Sequence, residues 1–341
     1  MRVRRMGIVL VALLATTGLL FAAGAKEKTG LAWTPKKPLT IIVPWAAGGS
    51  TDQVTRVAAG VLEEHLGQKI VIVNQPGASG SVGTKAVLDA PHDGYTWSAG
   101  AASDLGSYKV LGLLDTTVKD WVLYTDVANV SVVAVNVDSP YKTFADLLAA
   151  FKAKPGEISV GTAGVLSAGH NAIEAIKKYT GIDYKHVPYD GGNPAVISTV
   201  SGETQVTTQL AVEEADMLKG GKLRALAVLD SKPLQLQGYG EIPPITNWIP
   251  KFEPAPNYFG IWVPKDAPAE VVATIGQLWD SVIVGSKALQ DYANARGAVL
   301  NPTWGDAAQK QIMPYLSQVA WNYFTAGKAK ISPDTIGIPK P

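Results

Sequence analysis

Short β-branched runs alternate with stretches of helical period along most of this chain, and that alternation confines it to few folds. "LTIIVPW" (Leu39–Trp45) runs into a helix predicted over 51–66, with Val54, Val57, Val61, Leu62 and Leu66 on one face. "KIVIVNQ" is the next strand, followed by the loop "PGASGSVG" and the short helix "TKAVLDA". "GYTWSAG" and "VSVVAVNV" read as further strands, and "TFADLLAAFKAKPG" as a helix capped by Thr143 with Gly156 near its end. The second half repeats the pattern. "ISVGTAGVLSAG" leads into a helix over 168–179, and "YKHVPYDGGNP" into one capped by Asn193 with Pro194 as its first residue. "TQVTTQ" and "LRALAVL" follow as strands, and the proline-rich, aperiodic segment Lys232–Tyr258 reads as a long ordered loop. "FGIWVPKDAP" is a strand and turn opening a helix over 268–284. Such alternation predicts an α/β fold of mostly parallel sheets covered by helices on both faces.

The first 25 residues stand apart. Arg2, Arg4 and Arg5 precede an apolar stretch ending in Ala23-Gly24-Ala25, the pattern of a secretory signal peptide cleaved after about Ala25. Removing those arginines leaves 27 basic residues against 29 acidic ones, a net charge of about −2. A near-neutral chain without blocks of like charge has no electrostatic footprint for nucleic acid or an anionic membrane. Cysteine is absent, so disulfides, thiolate chemistry and a cysteine-borne lipid anchor are excluded. About 315 residues can supply a core without such staples, as two domains.

Ligands of α/β sheets sit outside the carboxyl ends of strands, where helices begin. Four segments join that position to glycine and small polar residues: Ala46–Asp52, Pro76–Gly83, Thr162–His170 and Tyr189–Asn193. Facing one another in pairs, they would form a two-lobed clamp. In the first, Ser50-Thr51-Asp52-Gln53 fits a capping box with Ser50 as the cap, leaving amides around Gly49 to Asp52 directed at an anion. Asp52 either pairs with Arg56 four residues on, which turns it aside, or simply favours the helix start. Nucleotide readings fail on spacing: no lysine follows Gly49, and Gly77, Gly80 and Gly83 recur at intervals of three. His65, His92, His170 and His186 lack metal-ligand spacing; His170, at a helix start beside a candidate loop, is the one placed to touch a ligand. "GVLSAG" has the wrong length for a nucleophile elbow, and no paired carboxylates converge on the loops. The pattern calls for no cofactor and no metal.

"IIVPWAAGGSTDQVTR", "NQPGASGSVG", "DGYTW", "KAKPGEISVGTAG", "HVPYDGGNPAVISTVSGE" and "GKLRALAVL", in this order, closely resemble the substrate-binding proteins of the tripartite tricarboxylate transporter family, the Bug-type receptors. The resemblance runs from about Pro38 to Gly297. It implies a periplasmic receptor of type II-like, two-lobed form that captures a small organic acid between its lobes. The cargo passes to one large and one small membrane subunit, and the receptor itself is a monomer rather than an enzyme. Lobe 1 is expected to comprise 26–129 with 257–341 and lobe 2 residues 130–256, with hinge strands near Val127–Val133 and Asn257–Ile261. Carried over position by position, the resemblance implies ligand contacts at Ala46, Gly49, Ser50, Thr51, Asp52, Ala78, Ser79, Thr162, Ser167, Tyr189 and Gly191, to which the helix-start argument adds His170. Departures lie at Trp45 and Ala47, at Asp190 where many relatives carry a base, at Gln209, and in "SDLGSYKVLG". Trp45 either widens an aromatic contact or packs under its loop. A receptor presenting its ligand to a sensor kinase would share fold and site; an exported α/β enzyme would need a nucleophile or metal that the sequence does not offer.

Overall fold

The computed structural model describes residues 30–341; the signal-peptide expectation lies outside the described residues. In chain order, β1 (Leu39–Val43), α1 (Ser50–Leu66), β2 (Ile70–Asn74), α2 (Ser81–Leu88), β3 (Thr96–Ala101), α3 (Ala102–Leu111) and β4 (Trp121–Asn129) build most of a first sheet and its cover. The chain then crosses at once into β5 (Val132–Asn136), α4 (Phe144–Ala153), β6 (Ser159–Thr162), α5 (Ala168–Thr180), β7 (Lys185–Pro188), α6 (Gly192–Val200), β8 (Val206–Thr207), α7 (Ala211–Lys219) and β9 (Leu223–Val228). A hairpin of β10 (Leu234–Leu236) and β11 (Gly240–Ile242) lies in the segment expected to be loop. The chain returns through β12 (Asn257–Pro264), α8 (Ala269–Leu278), α9 (Lys287–Arg296), β13 (Val299–Trp304) and α10 (Gly305–Thr325).

The six-stranded sheet has order β13-β4-β12-β3-β1-β2, and the five-stranded sheet β7-β6-β8-β5-β9. Both are mixed, which corrects the expectation of mostly parallel sheets. Only β1–β2, β1–β3, β6–β7 and β6–β8 pair in parallel. The antiparallel pairs gather around β4, β12, β5 and β9, because a chain that crosses between sheets must leave one and re-enter it in opposite directions.

Each sheet is covered on both faces. Ile41, Leu62, Trp97, Ile261 and Ile275 bury one face of the first, and Leu105, Trp121, Trp262, Ile312 and Leu316 the other. Val133, Val160, Ile173 and Ile176 do so on one side of the second, and Val132, Val196, Ala215 and Leu218 on the other. A leucine as fully buried as Leu62 contributes roughly 1.5–3 kcal/mol relative to exposure. Thr143 caps α4 as expected, its hydroxyl accepting from Asp146 N–H at 3.2 Å. Helix 268–284 is instead α8 followed by a π turn over Trp279–Ile283. At α6 the cap is Gly191, not Asn193. Among the described residues no helix is long and apolar enough to cross a membrane, and no group of acids and histidines forms a metal cluster.

Candidate binding site between the two sheets

The loop after β1 brings Trp45, Gly49, Ser50 and Thr51 to a narrow cavity of about 30 Å³. From the second sheet's side Ala163, Ser167, Gly192, Gln209 and Glu213 close it, and Asn257 and Phe259 of β12 stand at the crossing. That volume suits a water or two. The lobes are therefore shut on each other. A β-carbon at Gly191 would lie 2.7 Å from the Ala46 β-carbon, so glycine permits the contact between the two loops.

The start of α1 differs from the expected capping box. Its cap is Gly49, without a side-chain bond, and Ser50 is the first helical residue. Ser50 N–H instead donates to Glu213 Oε1 at 3.0 Å, so a carboxylate from α7 holds the first amide of α1. The side chain of Gln53 turns back to donate to Gly48 O at 2.7 Å. Glu213 Oε2 also accepts from Leu210 N–H at 3.3 Å; with the Gln209 amide turned over, its Nε2 donates to Glu213 Oε2 at 3.2 Å and its Oε1 accepts from Ala163 N–H at 2.6 Å. A β-carbon at Gly192 would lie 2.1 Å from Glu213 Oε1, which explains the glycine there.

The charged residues of the lining are the acids Asp104 and Glu213, and no lysine or arginine among the described residues takes part in it. Burial pushes the Asp104 carboxyl up to about 7, against the opposing pull of the Trp45 indole, the Ala101 amide and the Ser103 hydroxyl. Burial likewise raises Glu213, opposed by the amides of Ser50 and Leu210. Asp104 can therefore carry a proton near neutrality and donate a hydrogen bond.

The expected site residues divide into two groups. Gly49, Ser50, Thr51 and Ser167 meet at the cavity, and Ala46 faces Gly191 beside it. Ser167 also caps α5, its hydroxyl accepting from His170 N–H at 3.2 Å. Asp52 is turned aside: it pairs with Arg56 at 2.8 Å and accepts from Gly48 N–H and Asn74 Nδ2, both at 2.9 Å. Ala78 and Ser79 occupy a left-handed turn and do not line the narrow cavity, though a β-carbon at Gly164 would lie 3.8 Å from Ser79 Oγ. Thr162 Oγ1 lies 2.6 Å from His186 Nε2. His170 Nδ1 lies 3.0 Å from Tyr323 Oη, and burial followed by the neighbouring His186 ring pushes its pKa down, leaving it neutral. Tyr189 N–H donates to Thr162 O at 2.8 Å, but its hydroxyl has no partner among the described residues. Trp45 does both things weighed for it: it packs in the core and lines the cavity, its indole N–H donating to Asp104 Oδ2 at 3.2 Å.

Sequence reasoning missed Asp104, Gln209, Glu213, Asn257 and Phe259. The departures in "SDLGSYKVLG" and at Gln209 were the available signals for two of them; Glu213 reads only as an acid in the first turn of a helix.

Comparison with known proteins bears on family and fold. A family model described as the tripartite tricarboxylate transporter family receptor matches residues 54–292. Protein BugT of Bordetella pertussis is 30% identical over 292 residues, covering 84% of this chain and 88% of its own length. A periplasmic transporter of known structure superposes with TM-score 0.78 at 29% identity, over 88% of this chain and 99% of its own. An R. palustris protein solved with adipate superposes with TM-score 0.78 at 26% identity, over 86% and 98%.

Proposed function

The chain belongs to the tripartite tricarboxylate transporter receptor family, and from that premise we propose that it is an exported, monomeric receptor for a small organic acid. Its lobes, 26–129 with 257–341 and 130–256, close on the acid without chemistry. The complex then hands its cargo to one large and one small membrane subunit. The observation that carries this reading is the cavity where α1 begins, closed by residues of both sheets. In the proposed complex the carboxylate takes the amides of Thr51 and Asp52 and displaces Glu213 from Ser50. Protonated Asp104 donates a further hydrogen bond. Each bond to a charged acceptor contributes roughly 1.5–3 kcal/mol, which makes a lysine or arginine unnecessary. The relative solved with adipate supports an acid as cargo. A thermal-shift screen of mono-, di- and tricarboxylates tests the class: an acid at about 100 times its Kd adds roughly 2.7 kcal/mol of stability. A shift with sugars or cations alone would overturn it.

A second reading draws on the acidic lining. A zwitterionic amino acid would set its ammonium against Asp104 and Glu213, in their ionised forms, and its carboxylate on the α1 amides. Including amino acids in the screen separates the two.

A further inference from the structure

A second, larger cavity of about 280 Å³ lies beside the narrow one, between α5, α10 and the strands that cross between sheets. Ala168, Leu210 and Asn257 line both cavities, so three residues form their common wall. Leu229, Phe252, Val319 and Ala175 give the larger one an apolar part, and Glu174, Lys177, Lys178 and Glu253 also line it. Asn129 also lines it, is 1% exposed, and has no hydrogen-bond partner for either its amide nitrogen or its amide oxygen among the described residues. A buried amide left unsatisfied is costly, and natural cores rarely retain one without a reason. Its complement is a group that both donates and accepts, such as a hydroxyl or a primary amide.

We propose that this cavity is the tail compartment of the ligand site: the cargo is an elongated acid whose carboxylate sits in the narrow cavity and whose apolar body passes the common wall to end in a hydroxyl or carboxamide on Asn129. The inference rests on the acid-receptor reading above and names the cargo's shape and far end. At about 280 Å³ against about 30 Å³ it is far roomier than the narrow cavity, enough for a chain of about six carbons with its end group. Because α5 and α10 come from opposite lobes, a ligand filling this space touches both and favours the closed form.

Isothermal titration with acetate, hexanoate and 6-hydroxyhexanoate tests the inference on the whole mature chain. Wild type is expected to bind hexanoate at least tenfold tighter than acetate, and 6-hydroxyhexanoate several-fold tighter again. Ala175→Trp, which fills the compartment, should abolish the chain-length gain while leaving acetate affinity unchanged. Asn129→Leu should reverse the preference between hexanoate and its hydroxy form and should not lower Tm, since the lost amide had no partner. Acetate binding with no gain for hexanoate overturns the tail compartment alone, as does a gain that survives Ala175→Trp. An unchanged hydroxyl preference in Asn129→Leu overturns the assigned end group. Failure of every acid, acetate included, overturns the receptor reading and this inference with it.

Discussion

Ser50 and Glu213 meet across the two sheets, the backbone N–H of one donating to Oε1 of the other at 3.0 Å. A carboxylate of the chain itself thus occupies part of the place proposed for the cargo's. Any anionic ligand must compete with it for the positive end of α1.

Replacing Glu213 by Gln keeps an acceptor for Ser50 N–H and removes the competing charge. Glu213→Gln should tighten carboxylate binding about tenfold, or about 1.4 kcal/mol. Calorimetric titration reads the change. A loss of affinity confined to amino acids would favour the zwitterion reading.

Asp104 gives the site a pH dependence. Its carboxyl, pushed up to about 7 from an ordinary 3.8, is neutral below that pH and can then donate to an anion. Carboxylate affinity should fall as pH rises from 6 to 8, and Asp104→Asn should flatten that fall. Stability follows the same sign. A raised carboxyl stabilises the fold fully below about 3.8, and the contribution is lost as pH rises through about 7. Urea denaturation across that window should show the decline in wild type and its weakening in Asp104→Asn.

Gly191 tests lobe closure through its contact with Ala46. Its φ of 164° is extended backbone that alanine adopts freely, so the added methyl meets only Ala46, 2.7 Å away when the loops are closed. Gly191→Ala should leave Tm of the free protein nearly unchanged while lowering affinity tenfold or more. Small-angle scattering should show a larger radius of gyration. Unaltered affinity would mean that this contact is not needed for capture.

The opposite side of the cleft is fastened by Tyr323 of α10, whose hydroxyl donates to Asn171 Oδ1 at 2.7 Å and lies 3.0 Å from His170 Nδ1. Removing it leaves two buried polar groups short of a partner, at about 1–3 kcal/mol each. Tyr323→Phe should lower the free energy of unfolding by roughly that amount in a chemical denaturation series.

How far the sequence disclosed this molecule depends on where each element buries its side chains. α1 and α5 have one apolar face, so period alone placed them within a residue. α3 is buried nearly all round, with Ser103, Asp104, Gly106 and Ser107 inside, and has no stripe to detect. β4 carries Thr125 and Asp126 inside an almost wholly buried strand, which interrupts its apolar run, and no strand is predicted there from sequence. Strand direction has no local signature, and the mixed sheets follow from the chain crossing twice between them. Among site residues, glycine and helix-start chemistry pointed to Gly49 to Thr51 and to Ser167. Asp104 and Glu213 were hidden because their role exists only once two distant segments meet.

The central claim is that main-chain donors at the start of α1, aided by neutral Asp104, hold the cargo. A crystal structure with the tightest acid from the screen tests it most directly. The account predicts a carboxylate within hydrogen-bond distance of the Thr51 and Asp52 amides, with Glu213 displaced from Ser50. A carboxylate seated on a lysine, an arginine or a metal ion, or bound outside the space between the two sheets, would contradict it.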